Sequence, residues 1–195
     1  MRLFKFIAST LLAGAIVFGS GFFIGQQTGG GSSAAKGPVK LGFIGPLSGD
    51  ASQLGASVRT AVEIARDEVN AAGGVRGRQI SISFEDGKCA AKEAANAAEK
   101  LLMTDKVVAI IGGICSSETL AIAPLTENAQ VPLISPASTH PKISDAGQYT
   151  FRFVQSDGHQ GAYAAEHMIN TLQKKRVASI SCKNDLCVGI KDAFR

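Results

Sequence analysis

The chain has 195 residues, enough for one ordinary domain or one and a fraction, and its 45% apolar and 18% charged content describes a packed globular body and excludes a disordered one. Of its 20 basic residues, Arg2, Lys5 and Lys36 stand ahead of the first acidic residue, Asp50, which leaves 17 basic against 16 acidic residues from Gly37 onward. That balance holds no basic footprint for nucleic acid, and the 6% aromatic content, without Trp, gives no stacking surface for single strands.

Arg2 and Lys5 precede an uncharged apolar run over residues 6–25, followed by a Gly/Ser/Gln-rich stretch to Lys36. A basic start, an apolar middle and small residues thereafter describe a secretory signal, with Ser33 and Ala35 placed for cleavage before Lys36. The apolar run, about 20 residues, is also just long enough to span a bilayer. Residues 1–36 therefore read either as a signal peptide or as an uncleaved membrane anchor with a Gly/Ser-rich linker. No Cys precedes Cys89, which excludes a lipid anchor on an N-terminal cysteine. In either case the body is exported, and outside the cytosol thiols tend to pair. Four cysteines allow three pairings, and spacing does not choose among them. None of the spacings is CxxC, so neither a thioredoxin site nor a zinc ribbon is indicated.

Residues 39–45, VKLGFIG, form a short apolar run ending at Gly45-Pro46 and predict a buried strand. Leu54, Val58, Val62, Ala65, Val69 and Ala72 then recur at helical spacing, with Gly73-Gly74 as the stop. Residues 79–84 alternate as a strand does, and from Ala91 to Leu102 the helical period returns. Residues 107–113, VVAIIGG, are a continuous apolar run, as in a parallel sheet covered on both faces. Beyond them a helix is predicted over 117–129, a strand over 131–135, a helix over 160–173 and a strand over 176–182. A last helix is opening at Arg195. Alternating βαβα with short connections predicts an α/β fold with a parallel sheet.

In such sheets ligands sit beyond the carboxyl ends of the strands. Three loops there are suggestive: residues 45–49, 114–117 and 135–139. Ser116 or Ser117 caps the helix that follows, and a helix start with free N–H groups and a hydroxyl receives a carboxylate. The plainer alternative is that these Ser and Thr residues only cap helices and fill turns. There is no G-x-G-x-x-G, no phosphate loop and no G-x-S-x-G elbow, so no enzyme class is indicated. His140, His159 and His167 lack metal-ligand spacing and read as surface or helix-face residues, with His140 notable for following the third loop directly. Lys174-Lys175-Arg176 marks a helix end, where cations suit the dipole.

The loops resemble those of type I periplasmic binding proteins, specifically the leucine/isoleucine/valine-binding group of ABC importers. The resemblance runs from about Val39 onward through GPLSG (45–49), NAAGGVRGRQI (70–80), EDGKC (85–89), GGICSS (112–117), ISPAST (134–139) and FRFVQSD (151–157). It implies a three-layer parallel-sheet lobe over 37–156, incomplete, then a hinge crossover and the start of a second α/β lobe over 157–195. It implies an exported receptor, periplasmic or tethered to the membrane, that binds a small amino acid and delivers it to an ABC permease. Neither a cofactor nor a metal is implied. Alternatives are a sensor domain of the same fold or a non-functional truncated product.

By the same resemblance, Ser116 binds the ligand's carboxylate and shares that work with the Thr139 N–H. The Ala137 carbonyl and Thr139 hydroxyl receive the ammonium group, with Ser138 in the same loop. Leu54 and Leu186 stand where many relatives carry an aromatic that walls the cleft. Cys89 and Cys115 are implied to be joined, while Cys182 and Cys187 have no counterpart and read either as a small local disulfide or as two free buried thiols. Asp157 resembles a position near the family's hinge, or is simply a helix cap. The acidic group that completes the ammonium site in the family is expected beyond Arg195, and residues 158–195 are expected to expose apolar faces.

Overall fold

The computed structural model describes residues 37–195, so the reading of residues 1–36 as signal or anchor lies outside the described residues. Five strands form one parallel sheet: β1 (Val39–Gly45), β2 (Ile80–Asp86), β3 (Ala109–Ile111), β4 (Leu133–Ser135) and β5 (Thr150–Arg152), in the order β2-β1-β3-β4-β5. The helices are α1 (Ser52–Ala71), α2 (Ala91–Glu99), α3 (Ser116–Ala129), α4 (Asp157–Glu166) and α5 (Asp185–Phe194). The α/β class read from the alternating pattern is therefore the class observed.

Successive side chains of β1 point to opposite faces, and the two faces are covered differently. Ile44, Ile110 and Leu133 meet Ala94, Ala97, Ala98 and Leu101 from the α2 side and Ile122 and Ala123 from α3, forming one fully buried cluster. The alanines let α2 and α3 lie close to the sheet. Leu101 enters the cluster from a π-helical continuation of α2 (Lys100–Asp105). On the other face α1 lays Val62, Ala65 and Val69 toward Leu41, Ile80, Ile82 and Ile111 but leaves a groove of about 150 Å³ between them. Full cover of both faces, expected from the 107–113 run, is thus realised on the α2/α3 face and only in part on the α1 face.

Local chemistry explains the turns. Gly73 and Gly74 take φ values of +101° and +76°, open to glycine without strain, and their N–H groups bond back to the Asn70 and Val69 carbonyls. The Asn70 side chain then pairs with both backbone groups of Ile80 and sets the start of β2.

Four segments depart from the expected pattern. β3 is three residues long, because Val107 bonds back to the Leu101 carbonyl at the end of the π-helical turn and Gly112 leaves the strand conformation at φ +142°. β5 was not foreseen: its Thr-Phe-Arg segment is short, and β4 supplies its ladder at the sheet edge. Residues 176–182, expected as a strand, form none. Among the described residues no strand lies beside them to take their backbone groups, and Ile180 is fully exposed at 104%. The helix expected over 160–173 begins earlier, at Asp157, and passes into a π-helical turn at His167–Thr171. It packs on α5 through Gly161, where an added Cβ would lie 2.6 Å from the Ala193 methyl.

Candidate functional site

The carboxyl ends of β1 to β4 converge on three loops, each held by polar groups that are buried or half-buried. At the end of β2, the Asp86 carboxylate accepts hydrogen bonds from the N–H groups of Leu47, Ser48 and Lys88 and from the Ser48 hydroxyl. Burial opposes ionisation there, but these bonds outweigh it and hold the carboxyl below the usual aspartate range. The 45–49 loop is thereby fixed, and with it the start of α1 and Leu54, which stays half exposed.

The second loop is built around Glu118. Its side chain is completely buried and turns back on the start of its own helix. Oε2 accepts from the N–H groups of Ile114 and Cys115, each at 2.9 Å, and Oε1 accepts from the Cys89 N–H at 3.0 Å. Burial raises this carboxyl above the usual glutamate range, the three N–H donors pull it back, and the Asp86 charge adds to the rise. Cys89 and Cys115 are joined as a disulfide with Cα atoms 5.2 Å apart, and the Ser117 hydroxyl donates to the Cys89 carbonyl at 2.8 Å. Glu118 was missed in the sequence. Its signal was its place as the third residue of a helix with a Ser start, where an acid satisfies free N–H groups.

In the third loop, Ser138 is buried beneath the backbone. Its hydroxyl lies within hydrogen-bond distance of the Gly113 and Ile114 carbonyls and of Thr119 Oγ1, and its N–H donates to Ser135 Oγ. The Ser135 hydroxyl also donates to the Gly113 carbonyl, at 2.7 Å, so the two serines tie this loop to the second. Thr139 donates its hydroxyl to Asp157 Oδ2 at 2.9 Å, while its carbonyl accepts from the Asp157 N–H and the Arg152 guanidinium. His140 is buried, not a surface residue as expected: its Nδ1 accepts from the Lys142 N–H, its backbone N–H donates to Ser116 Oγ at 3.3 Å, and its ring packs toward Gly189.

Between these loops and the start of α5 lies a cavity of about 190 Å³. Four of the six side chains singled out in the sequence line it together: Leu54, Ser116, Ala137 and Leu186. Ser138 and Thr139 do not: Ser138 is buried in the bonds just described, while Thr139 is half-buried with its hydroxyl on Asp157. Both cysteines of the first disulfide reach the cavity, as do Ile114, Asn184 and Asp185, which the sequence reading did not name. Asn184 caps α5, its Oδ1 accepting from the Cys187 N–H; the resemblance that selected Leu186 did not extend to its two neighbours, whose only signal was their adjacency to it. Cys182 and Cys187 form the small local disulfide, with Cα atoms 5.4 Å apart. A larger groove of about 320 Å³ along α5 touches none of these loops and is lined mainly by apolar groups such as Met168, Val177, Ile180 and Phe194. Its polar lining is Ser179, Ser181 and Lys191, and Cys182 and Cys187 border it. Among the described residues there is no cluster of His, Cys, Asp or Glu that could hold a metal ion.

The model of a family described as "Periplasmic binding protein" matches residues 38–195. The chain belongs to that family. This periplasmic binding protein is 33% identical over 165 residues to an "Amino acid binding protein" of Pseudomonas aeruginosa, covering 84% of the chain and 44% of the relative. It is 30% identical over 158 residues to the "Leu/Ile/Val-binding protein" of Escherichia coli K12, covering 80% and 43%. Among solved structures it resembles a leucine binding protein, LivK, from Thermotoga maritima, with a TM-score of 0.72 and 34% identity over 80% of this chain and 44% of that one. It also resembles LivJ from Streptococcus pneumoniae, solved in complex with isoleucine, with a TM-score of 0.69 and 31% identity over 80% and 45%. This periplasmic binding protein spans about 44% of the length of the curated relatives it matches. The family is one of binding proteins and not of enzymes, and it implies an extracytoplasmic location.

Proposed function

We propose that the chain forms the amino-acid-receiving part of a solute-binding protein that serves an ABC importer, with a branched-chain or related small amino acid as its ligand. The observation that carries this reading is the cavity lined together by Ser116, at the first turn of α3, by Ala137 and by two leucines. An α-amino acid needs opposite partners for its two charges and an apolar wall for its side chain. The ligand's carboxylate is received by the Ser116 hydroxyl, the N-terminal N–H groups of α3 and the Thr139 N–H. Ser116 Oγ already accepts from His140, so its own proton is available to donate.

The ammonium group is received by the Ala137 carbonyl and by Thr139 Oγ1. Because that hydroxyl gives its proton to Asp157, a lone pair remains for a cation. Ser138 supports the loop from behind. Leu54 and Leu186 enclose the side chain, and the names of the matched relatives, which include leucine, isoleucine and valine, agree with an apolar wall. The crossover at 156–158 serves as the hinge, and the loaded protein hands its ligand to a membrane permease. Residues 1–36 supply the export signal or a tether. Binding of this kind needs neither cofactor nor metal.

Calorimetric titration of the exported protein with L-leucine, L-isoleucine, L-valine and the methyl ester of L-leucine tests the reading. The free amino acids are expected to bind and the ester to bind at least about ten-fold more weakly, since it forfeits charge-assisted hydrogen bonds. Equal binding of acid and ester, or no binding of any of the three amino acids, overturns it.

A further inference from the structure

The first disulfide lines this cavity, the second lies on the neighbouring groove along α5, and the two are held in opposite ways. Cys89–Cys115 is half-buried and reinforced by the Glu118 carboxylate on both cysteine N–H groups and by Ser117 on the Cys89 carbonyl. Cys182–Cys187 closes a loop with a sequence separation of 5, against 26 for the first. Within that short loop lie Asn184, Asp185 and Leu186, all three of which line the cavity. On its N-terminal side, no backbone–backbone hydrogen bond holds residues 176–182 to the rest of the described residues, and Cys182 is exposed. On its C-terminal side, Cys187 lies in the first turn of α5, which is anchored to α4 at Gly161.

We infer that the Cys182–Cys187 disulfide is a positioning element for ligand selectivity: it ties an otherwise unsupported segment to α5 and so keeps Leu186 in the wall that meets the ligand's side chain. This rests on the reading of the cavity as an amino-acid pocket. The head-group loops are tied down separately by Glu118, Ser138 and Arg152, so opening this bridge leaves them intact. The bridge is also open to exchange with an extracytoplasmic dithiol. One thiolate of that dithiol attacks a cysteine sulfur, breaking the S–S bond and forming a mixed disulfide. Its second thiol then displaces the remaining protein sulfur. Two electrons and two protons pass to the protein, which keeps two thiols, while the reagent leaves as a disulfide.

The test uses the full chain carrying Cys182→Ser and Cys187→Ser together, with mass spectrometry confirming that Cys89–Cys115 remains. L-leucine and L-alanine are the two probes in calorimetry, and amide exchange is followed over residues 183–188. Leucine affinity is expected to fall about ten-fold and alanine affinity by no more than about two-fold, because only the longer side chain reaches the Leu186 wall. Exchange over 183–188 is expected to rise. Loss of both affinities by one common factor, or of neither, overturns the inference while leaving the pocket reading in place. If neither probe binds the unaltered protein, the pocket reading falls and takes the inference with it. Should the double variant not fold, limited dithiothreitol on the unaltered protein serves instead. Cys182 and Cys187 are then expected to be alkylated ahead of Cys89 and Cys115, with the leucine-to-alanine affinity ratio falling in step. Alkylation of Cys89 and Cys115 first, or an unchanged ratio, counts against it.

Discussion

Residues 107–113 and 176–182 are two stretches of similar promise, VVAIIGG and RVASISC, and they end in opposite states. The first lies between β1 and β4 with Ile110 fully buried, while the second runs without a ladder and leaves Ile180 fully in solvent. Hydrophobic and β-branched content is therefore a statement about what a segment suits, and a neighbour on the correct side turns it into a strand. The contrast extends to the polar groups. In the sheet region each loop near the cavity has a buried or half-buried side chain that absorbs its free N–H groups or carbonyls. Around residues 176–187 a disulfide supplies a covalent tie instead, and the Asn184 cap takes up the Cys187 N–H alone.

The largest blow to this contrast falls on Glu118. Glu118→Ala leaves three backbone N–H groups without their acceptor in a buried site and is expected to cost about 3–5 kcal/mol, read from urea unfolding. Glu118→Gln is expected to cost about 1–3 kcal/mol, because one of its two terminal atoms turns from acceptor into donor against an N–H. If both variants match the parent protein, Glu118 does not hold the loop.

Acidity sharpens the comparison between the two loop carboxylates. Asp86 titrates below its unfolded value, so its contribution is present above the ordinary aspartate range and is lost as pH falls through the folded value. Glu118 titrates above its unfolded value, so the contribution of that shift is present below the ordinary glutamate range and lost as pH rises through the folded value. On acidification from neutrality the Glu118 contribution therefore rises first and the Asp86 contribution falls later. Unfolding midpoints measured across that range for the parent, Asp86→Asn and Glu118→Gln are expected to assign the acid limb to Asp86 and the earlier rise to Glu118. An acid limb unchanged by Asp86→Asn contradicts the first assignment, and an earlier rise unchanged by Glu118→Gln contradicts the second.

The smallest effect belongs to the unsupported segment. Ile180→Ser is expected to change stability by less than about 0.5 kcal/mol, since a fully exposed side chain has no packing to lose. A drop of more than about 1 kcal/mol in urea unfolding means that Ile180 is packed in solution and that the contrast with β3 is false.

The sequence made the order of helices and strands legible because α1 carries its own period with the Gly73-Gly74 stop, α2 its own period, and the strands short apolar runs between them. Leu54, Ser116, Ala137 and Leu186 could be grouped before any coordinates because the resemblance assigned all four to one cleft. Glu118 escaped because an acid in a helix's first turn ordinarily faces solvent, and only the fold buries it beneath Cys89. β5 escaped because three residues carry no period. His140 was placed on the surface because nothing in its neighbours announces that α5 will return to cover it.

The strand order has a consequence for how the molecule assembles. Leu41 pairs with Ile82 on one side and with Ala109 on the other, so the second strand to be made takes the outer place and the third the inner one. The inner ladder therefore closes only when segments far apart along the chain are present together. Its rate is set by the loss of chain entropy in bringing Ala109 back to Leu41, and the quick formation of α1 and α2 does not shorten that search. A polypeptide that crosses a membrane before folding reaches its destination with this closure still to be made.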